Sequence, residues 1–258
     1  MRIKSEGQAI VFSIIIAAIG IFSLYLSKEA FGEAPLTTIG GPRGYLIPVG
    51  ITAILIFALR RQRTIRLDGS FLAGFKRGAY IIAAGVIFLV IALLTAKLPY
   101  DPTFANVIFF IVSCLMTGLF EEFLCRGLIQ EIMMEGEAAA GRSPWRAIIL
   151  SSLIFGVLHF ANLVTDPQMI VSTTTQAIYA FALGVILGTV YFKTRNIMSV
   201  VVLHGLFNIL GSITDIFQEP VIHQGAGSDI SLATAAIELV IMLPAIYAAR
   251  RIYLKAGR

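Results

Sequence analysis

Charged residues are scarce in this chain. Only 14% of its 258 residues are Asp, Glu, Lys or Arg, whereas 57% are hydrophobic and the mean hydropathy is +0.86. A soluble globular protein carries about 25% charged residues, so this composition excludes a soluble domain. The chain has no ten-residue segments of alternating polarity, which excludes a transmembrane barrel. It also has no zinc-finger spacing or basic patch interleaved with aromatics, which excludes nucleic acid as a partner.

Cysteine is almost absent as well. Cys114 and Cys125 are the only two in the chain. They fall on one predicted helix, about 16 Å apart along its axis. That separation is too large for a disulfide, so both are expected to act as small apolar residues.

Eight apolar runs are long enough to cross about 30 Å of hydrocarbon. They lie at 8–27, 45–59, 79–97, 104–125, 147–164, 176–192, 197–217 and 231–249. Backbone polar groups must be satisfied internally in lipid, so these runs are predicted to be helices. The sequence therefore predicts an all-α, polytopic protein with about eight transmembrane helices, forming one integral membrane domain over residues 1–258. The stretch 131–145 is predicted as a connection.

The basic residues predict the orientation in the membrane. Of 20 Lys and Arg residues, only Lys28, Arg43 and Lys97 fall in the odd-numbered connections. The others lie in the tails and the even-numbered connections. By the positive-inside rule, both termini are predicted to be cytoplasmic.

Polar residues inside the apolar runs are the functional candidates, because an ionised group costs roughly 2.5–3.5 kcal/mol at the centre of a bilayer. In chain order they are Glu121, Glu122 and Arg126 at the end of the fourth run, His159 in the fifth, and His204 and Asn208 in the seventh. The third histidine, His223, falls in a predicted external loop and is expected to be solvated.

Helical spacing predicts how these residues pair. Arg126 follows Glu122 by four residues, which favours an ion pair between them. Adjacent helical residues point about 100° apart, so Glu121 is expected to face a different site from Glu122. His204 and Asn208 share one helix face and can direct donors to one point.

These groups suffice for hydrolysis of a peptide bond. A carboxylate and an imidazole, Glu121 and His159, can hold and deprotonate a water molecule. A second imidazole and an amide, His204 and Asn208, can stabilise the oxyanion that forms. The same residue types leave a second mechanism open, in which Glu121, His159 and His204 bind Zn²⁺ with one position left for water. The motifs HExxH and GxSxG are absent, so the chain lacks the signatures of the common zinc and serine intramembrane proteases.

Three motifs resemble those of the CAAX protease and bacteriocin-processing family, also called the ABI family. They are EEFLCR at 121–126, FGVLH at 155–159 and HGLFN at 204–208, and the resemblance covers about residues 104–217. It implies an intramembrane endopeptidase similar to the Ras-converting CAAX endopeptidase, with a core from the fourth, fifth and seventh helices. It also implies a membrane-associated, in some members prenylated, protein or peptide substrate.

The resemblance assigns roles to individual residues. Glu121 and His159 would activate water, His204 and Asn208 would form the oxyanion site, and Glu122 and Arg126 would support them. Family members are described both as metal-dependent and as metal-free glutamate proteases. Their site opens to the cytoplasm, which fits the predicted position of Glu121 and His204 near the cytoplasmic ends of their spans.

Two other hypotheses compete with a protease. One is a non-catalytic membrane-binding or bacteriocin-immunity protein that keeps the motifs for packing. The other is a proton-coupled transporter that uses Glu121 and the histidines as a relay, although the chain has no internal repeat. Separately, Gly184 and Gly188 form GxxxG in the sixth run, which predicts a close contact with a neighbouring helix, either within the chain or in a dimer.

Overall fold

A computed structural model of the chain describes residues 3–32, 40–65, 69–95, 98, 100–217 and 229–255. Lys97 and His223 lie outside these residues. The regular elements of the described ranges are all helical. They are α1 (Glu6–Phe31), α2 (Gly40–Arg43), α3 (Leu46–Ala58), α4 (Phe71–Arg77), α5 (Ala79–Thr95), α6 (Phe104–Glu122), a π-helix (Phe123–Gln130), α7 (Glu131–Ala139), α8 (Pro144–Leu158), α9 (Asn162–Thr165), α10 (Ile170–Thr194), α11 (Ile197–Ser212), α12 (Leu232–Met242) and α13 (Pro244–Leu254), with 3₁₀ turns at Gln62–Ile65, His159–Ala161 and Ile213–Phe217.

Within the part of the chain that the structure describes, seven helical stretches are long and apolar enough to cross a membrane. The pair α4 and α5, bent by 59°, gives an eighth if it crosses as one span. The prediction of an all-α, multi-pass membrane protein is therefore confirmed. The division of the chain into domains stays a prediction.

The fourth span is longer than the sequence predicted. It runs without a break over Phe104–Ala139, so the prediction that residues 131–145 are a connection was wrong for its first part. The extra turns pack closely on α1. If Gly136 carried a Cβ, that atom would lie only 2.4 Å from the Cβ of Ala9, so the contact has no room for a side chain. Glu121 consequently lies near the middle of this helix, about 26 Å from Phe104 and about 27 Å from Ala139, and not near one end.

Contacts hold both ends of the described chain on one face of the molecule. Glu6 at the start of α1 forms ion pairs with Arg142 and Arg146. The hydroxyl of Tyr253, in the last turn of α13, lies 2.9 Å from that of Ser143. We call this side the terminal face and the opposite side, where α1 and α9 end, the distal face. The cytoplasmic location of the terminal face stays a prediction from the basic residues.

The GxxxG pair of α10 packs within the chain. A Cβ on Gly184 would lie 3.0 Å from the Cβ of Ser152, and one on Gly188 would lie 2.5 Å from Oε1 of Gln130. The predicted close contact is therefore confirmed, and its partners are α8 and the π-helix of the same chain. Both partners carry or adjoin polar residues of the candidate site.

Candidate active site

The polar residues meet where α6 continues into the π-helix. A π-helix is rare and occurs mostly at functional sites, because its wider turn redirects side chains. Here it begins directly after Glu122 and carries Arg126, and every residue from Leu124 to Gln130 is buried. The junction thus turns two carboxylates and a guanidinium into the protein interior.

Glycines bring α11 against this junction. A Cβ on Gly118 would lie 2.8 Å from the carbonyl oxygen of Val201 and 3.0 Å from the backbone N of Gly205. These obstacles are backbone atoms, so any side chain at Gly118 would force α6 and α11 apart. Gly118 is about one turn before Glu121 and Gly205 adjoins His204, so both glycines set the distance between the candidate residues. The glycines are visible in the sequence, but their packing partners are not.

His204 contacts both glutamates. Its Nδ1 donates to Oε1 of Glu122 at 2.8 Å, and its Nε2 lies 3.4 Å from Oε2 of Glu121. The expectation that the two glutamates face different sites holds in part, since only Glu122 pairs with Arg126, but both carboxylates contact this one ring. The imidazole presents polar atoms on two edges, so carboxylates that leave α6 in different directions reach the same ring.

The predicted ion pair between Glu122 and Arg126 is confirmed. Nη1 of Arg126 donates to Oε1 of Glu122 at 2.7 Å, and the two side chains are 1% and 0% exposed. Arg126 also donates to the carbonyl oxygen of Gly184 at 3.1 Å and lies 4.9 Å from the centre of the Phe155 ring. Arg126 therefore holds the carboxylate of Glu122 in place, and Glu122 in turn orients His204.

His159 directly follows the last residue of α8 and lies one helical turn after Phe155. Its Nδ1 donates to the carbonyl oxygen of Phe155 at 2.9 Å, which leaves Nε2 with a lone pair in the neutral ring. The ring of Phe155 meets the rings of His159 and His204 edge-on, with centroids 4.9 Å and 5.9 Å away. Phe155 therefore sets the spacing between the two imidazoles.

A cavity of about 630 Å³ adjoins these residues. Glu121, Phe155 and His159 line it together with the C-terminal half of α1 and the end of α8. The described lining does not include His204 or Asn208, so His204 meets the cavity only through Glu121. Asn208 is half-buried one turn beyond His204 on α11. Glu121 and His159 are thus the candidate residues that a molecule in the cavity would contact.

The candidate metal ligands are not arranged as a metal site. Within the described ranges, no group of three or more His, Cys, Asp or Glu side chains could hold a metal ion. The contacts present are pairs: Nε2 of His204 with Glu121, and Nδ1 of His204 with Glu122. Glu121, His159 and His204 therefore do not form the ligand set that the zinc alternative requires.

Two tyrosines near the site were not predicted from the sequence. Tyr45 and Tyr179 lie close enough to Glu121 for its charge to act on their hydroxyl groups. The signal for them was a polar group within or beside an apolar run. Asn162, on the cavity wall, donates to Oε1 of Gln176 at 3.0 Å.

The fold and the site define a class of protein: a multi-pass helical membrane protein with a Glu–His–Arg cluster between its helices and a cavity beside it. Residues 103–210 match the family model described as "Type II CAAX prenyl endopeptidase Rce1-like". The resemblance to the CAAX protease family predicted from the three motifs is therefore confirmed over these residues. This match supports a peptidase. Neither the curated proteins nor the solved structures compared with the chain include a match.

Proposed function

We propose that the protein is an intramembrane endopeptidase that uses water activated by Glu121 and His159. The observation that carries this proposal is that both side chains line one cavity, while His204 fixes Glu121 from behind. A peptide segment in the cavity would meet a carboxylate and a free imidazole nitrogen together. That combination is the minimum for general-base hydrolysis.

In the proposed reaction, Glu121 takes a proton from a water molecule that also bonds to Nε2 of His159. The water oxygen attacks the carbonyl carbon of the scissile peptide bond, whose oxygen becomes an oxyanion. Glu121 then gives its proton to the leaving nitrogen, so that the C–N bond breaks and a carboxylic acid and an amine result. No covalent bond to the protein forms.

His204 and Asn208 are the proposed donors to the oxyanion. Nδ1 of His204 stays on Glu122, so Nε2, which faces Glu121, is the proposed donor to the oxyanion beside it. Asn208 lies one turn away on the same helix face. Glu122 and Arg126 support this arrangement, since Arg126 holds Glu122 and Glu122 holds the imidazole ring.

The proposed substrates are membrane-associated proteins or peptides, with prenylated CAAX-type sequences as one class. The apolar walls of the cavity and the family match support this class. No step of the proposed reaction passes through a metal ion.

The test is cleavage by the purified protein in liposomes, with matched prenylated and unprenylated peptides, each with and without a chelator. We expect a defined cleavage product by mass spectrometry from the wild type and none from Glu121→Gln. A non-catalytic binder would release no product from any peptide, and a transporter would instead give flux that depends on a pH gradient. Either result would overturn the proposal.

A further inference from the structure

The cavity has a closed end and an open end. Its inner wall is made of side chains at most 3% exposed, namely Phe120, Leu124, Cys125 and Phe155. At the other end, Tyr25 is 56% exposed and Val164 86% exposed. Lys28, Glu29 and Thr165 are exposed beside them. We call Tyr25, Lys28, Glu29, Val164 and Thr165 the rim, because this end of the cavity combines exposed side chains with two charged residues.

The rim lies at the distal face. Helix α1 starts at Glu6 on the terminal face, and Lys28 follows about 33 Å further along its axis. Helix α8 starts at Pro144 on the same face, and Thr165 follows about 32 Å further at helical rise. Between these two ends, Gly20 in the middle of α1 contacts Leu124, since a Cβ on Gly20 would lie 2.5 Å from Cδ2 of Leu124. Leu124 is three residues after Glu121, so the middle of α1 lies at the level of the site. The opening is therefore about one bilayer thickness from the chain ends.

On the terminal side the site is closed. Below Glu121 the long helix carries four apolar side chains that are at most 2% exposed, Leu128, Ile129, Ile132 and Met133. Nearer the terminal face, ion pairs connect the long helix to other parts of the protein. Arg61 bonds to Glu135, with its Nη2 2.9 Å from Oε2, and Nε of Arg146 lies 3.0 Å from Oε2 of Glu137. A substrate coming from the terminal face would have to part these contacts.

We propose that the substrate enters through the rim, from the membrane face opposite both chain termini. The inference rests on the proposed function and deepens it by naming how the substrate is presented. With the orientation predicted from the basic residues, the rim faces away from the cytoplasm. This departs from the cytoplasmic opening that the family resemblance implies.

The chemistry of the rim and walls defines the kind of substrate. The volume of the cavity falls in the roughly 300–1,000 Å³ range of small-ligand sites, so it accepts a short extended segment and not a folded domain. Lys28 and Glu29 place charges of both signs at the opening, and Thr165 places there a hydroxyl that bonds to the carbonyl oxygen of Asn162, so the opening is polar like the backbone of a peptide. The apolar interior suits its hydrophobic side chains. The substrate is therefore a hydrophobic peptide or protein end that is presented at the extracytoplasmic surface or in that leaflet.

The first test compares the two faces directly. Membrane vesicles of right-side-out and inside-out orientation, with the wild-type protein, receive the same membrane-impermeant peptide from the outside. We expect at least a tenfold higher cleavage rate in the vesicles that expose the distal face. Equal or higher rates with the terminal face outside would overturn the route. Cleavage from neither face would instead overturn the proposed function.

The second test blocks the opening. The variant Thr165→Cys should react with a bulky, membrane-impermeant maleimide only from the distal face, and the reaction should lower cleavage at least tenfold. Ser143→Cys is the matched control, which should react only from the terminal face and keep its activity. The wild type, whose Cys114 and Cys125 are 3% and 1% exposed, controls for background labelling. Full activity of the labelled Thr165→Cys protein would overturn the route.

Discussion

Gly118 and Gly205 put the backbones of α6 and α11 in direct contact, since a Cβ on Gly118 would lie 3.0 Å from the backbone N of Gly205. Replacement Gly118→Val must push α11 away and move His204 from Glu121 and Glu122. Overpacking of this kind costs about 1–3 kcal/mol. We expect a lower melting temperature in detergent and a loss of cleavage of at least tenfold.

The matched control for this variant is Gly211→Ala in the same helix α11. No atom lies within 4 Å of the position that its Cβ would occupy. Alanine also favours the helix over glycine, so stability should stay equal or rise slightly. If Gly118→Val kept full activity and stability, the close contact of the two helices would not be needed for the site.

Glu121→Gln tests the proposed general base. The glutamine keeps the shape and the partial exposure of the side chain in the cavity but cannot take a proton at neutral pH. General-base catalysis contributes roughly 10²–10⁴-fold, so the cleavage rate should fall by at least about 10² with little change in melting temperature. Glu131→Gln, further along the same continuous helix and outside the cavity, should retain the wild-type rate. Equal losses in both variants would contradict a specific role of Glu121.

The position of the spans could be read from hydropathy, but the full length of the fourth could not. Its extension contains Glu131, Glu135 and Glu137, which lower the local hydropathy and suggest a loop. In the structure they pair with Arg195, Arg61 and Arg146, respectively, all from other parts of the chain. Hydropathy is averaged over neighbouring residues, so it could not reveal that arginines outside this segment compensate these charges.

The candidate residues were also predictable, since rare polar groups in apolar runs are informative. Their geometry was not. Ideal helical spacing gave the Glu122–Arg126 pair correctly, because that contact lies along one helix. It did not predict the contact of Glu121 with His204, because that contact depends on the close approach of α11 at Gly118. The direction in which the cavity opens depends on which residues of α1 contact the long helix. Contacts between helices that are far apart in the sequence cannot be predicted from a local pattern.

Arg126→Met tests the buried ion pair. The substitution keeps the length of the side chain but leaves the carboxylate of Glu122 buried without its compensating charge. Breaking a buried pair in this way costs roughly 3–5 kcal/mol. We expect a clear fall in the free energy of unfolding, and partial recovery in the double variant Glu122→Gln with Arg126→Met, measured by denaturant or thermal unfolding in detergent.

The control for the ion pair is Arg142→Met on the terminal face. Arg142 pairs with Glu6, and the two side chains are 43% and 26% exposed. Exposed pairs contribute only about 0–1 kcal/mol, so this variant should stay close to the wild type. Similar losses in Arg126→Met and Arg142→Met would contradict the special importance of the buried pair.

Asp229 links the start of α10 to the segment before α12 and gives the fold a pH dependence. Burial raises the pKa of its carboxyl, but hydrogen bonds from the backbone N–H groups of Ser172, Val171 and Ile230, at 2.8, 2.6 and 2.8 Å, outweigh burial and leave the pKa lowered. A carboxyl with a lowered pKa in the folded state stabilises it above the unfolded-state pKa, and this contribution is lost as the pH falls through the folded-state pKa. The variant Asp229→Asn should therefore melt below the wild type at neutral pH, and the difference should shrink as the pH is lowered into the acid range. Melting curves of both proteins across that range measure the difference, and a gap that stays constant or widens in acid would contradict the proposed role of the ionised carboxylate.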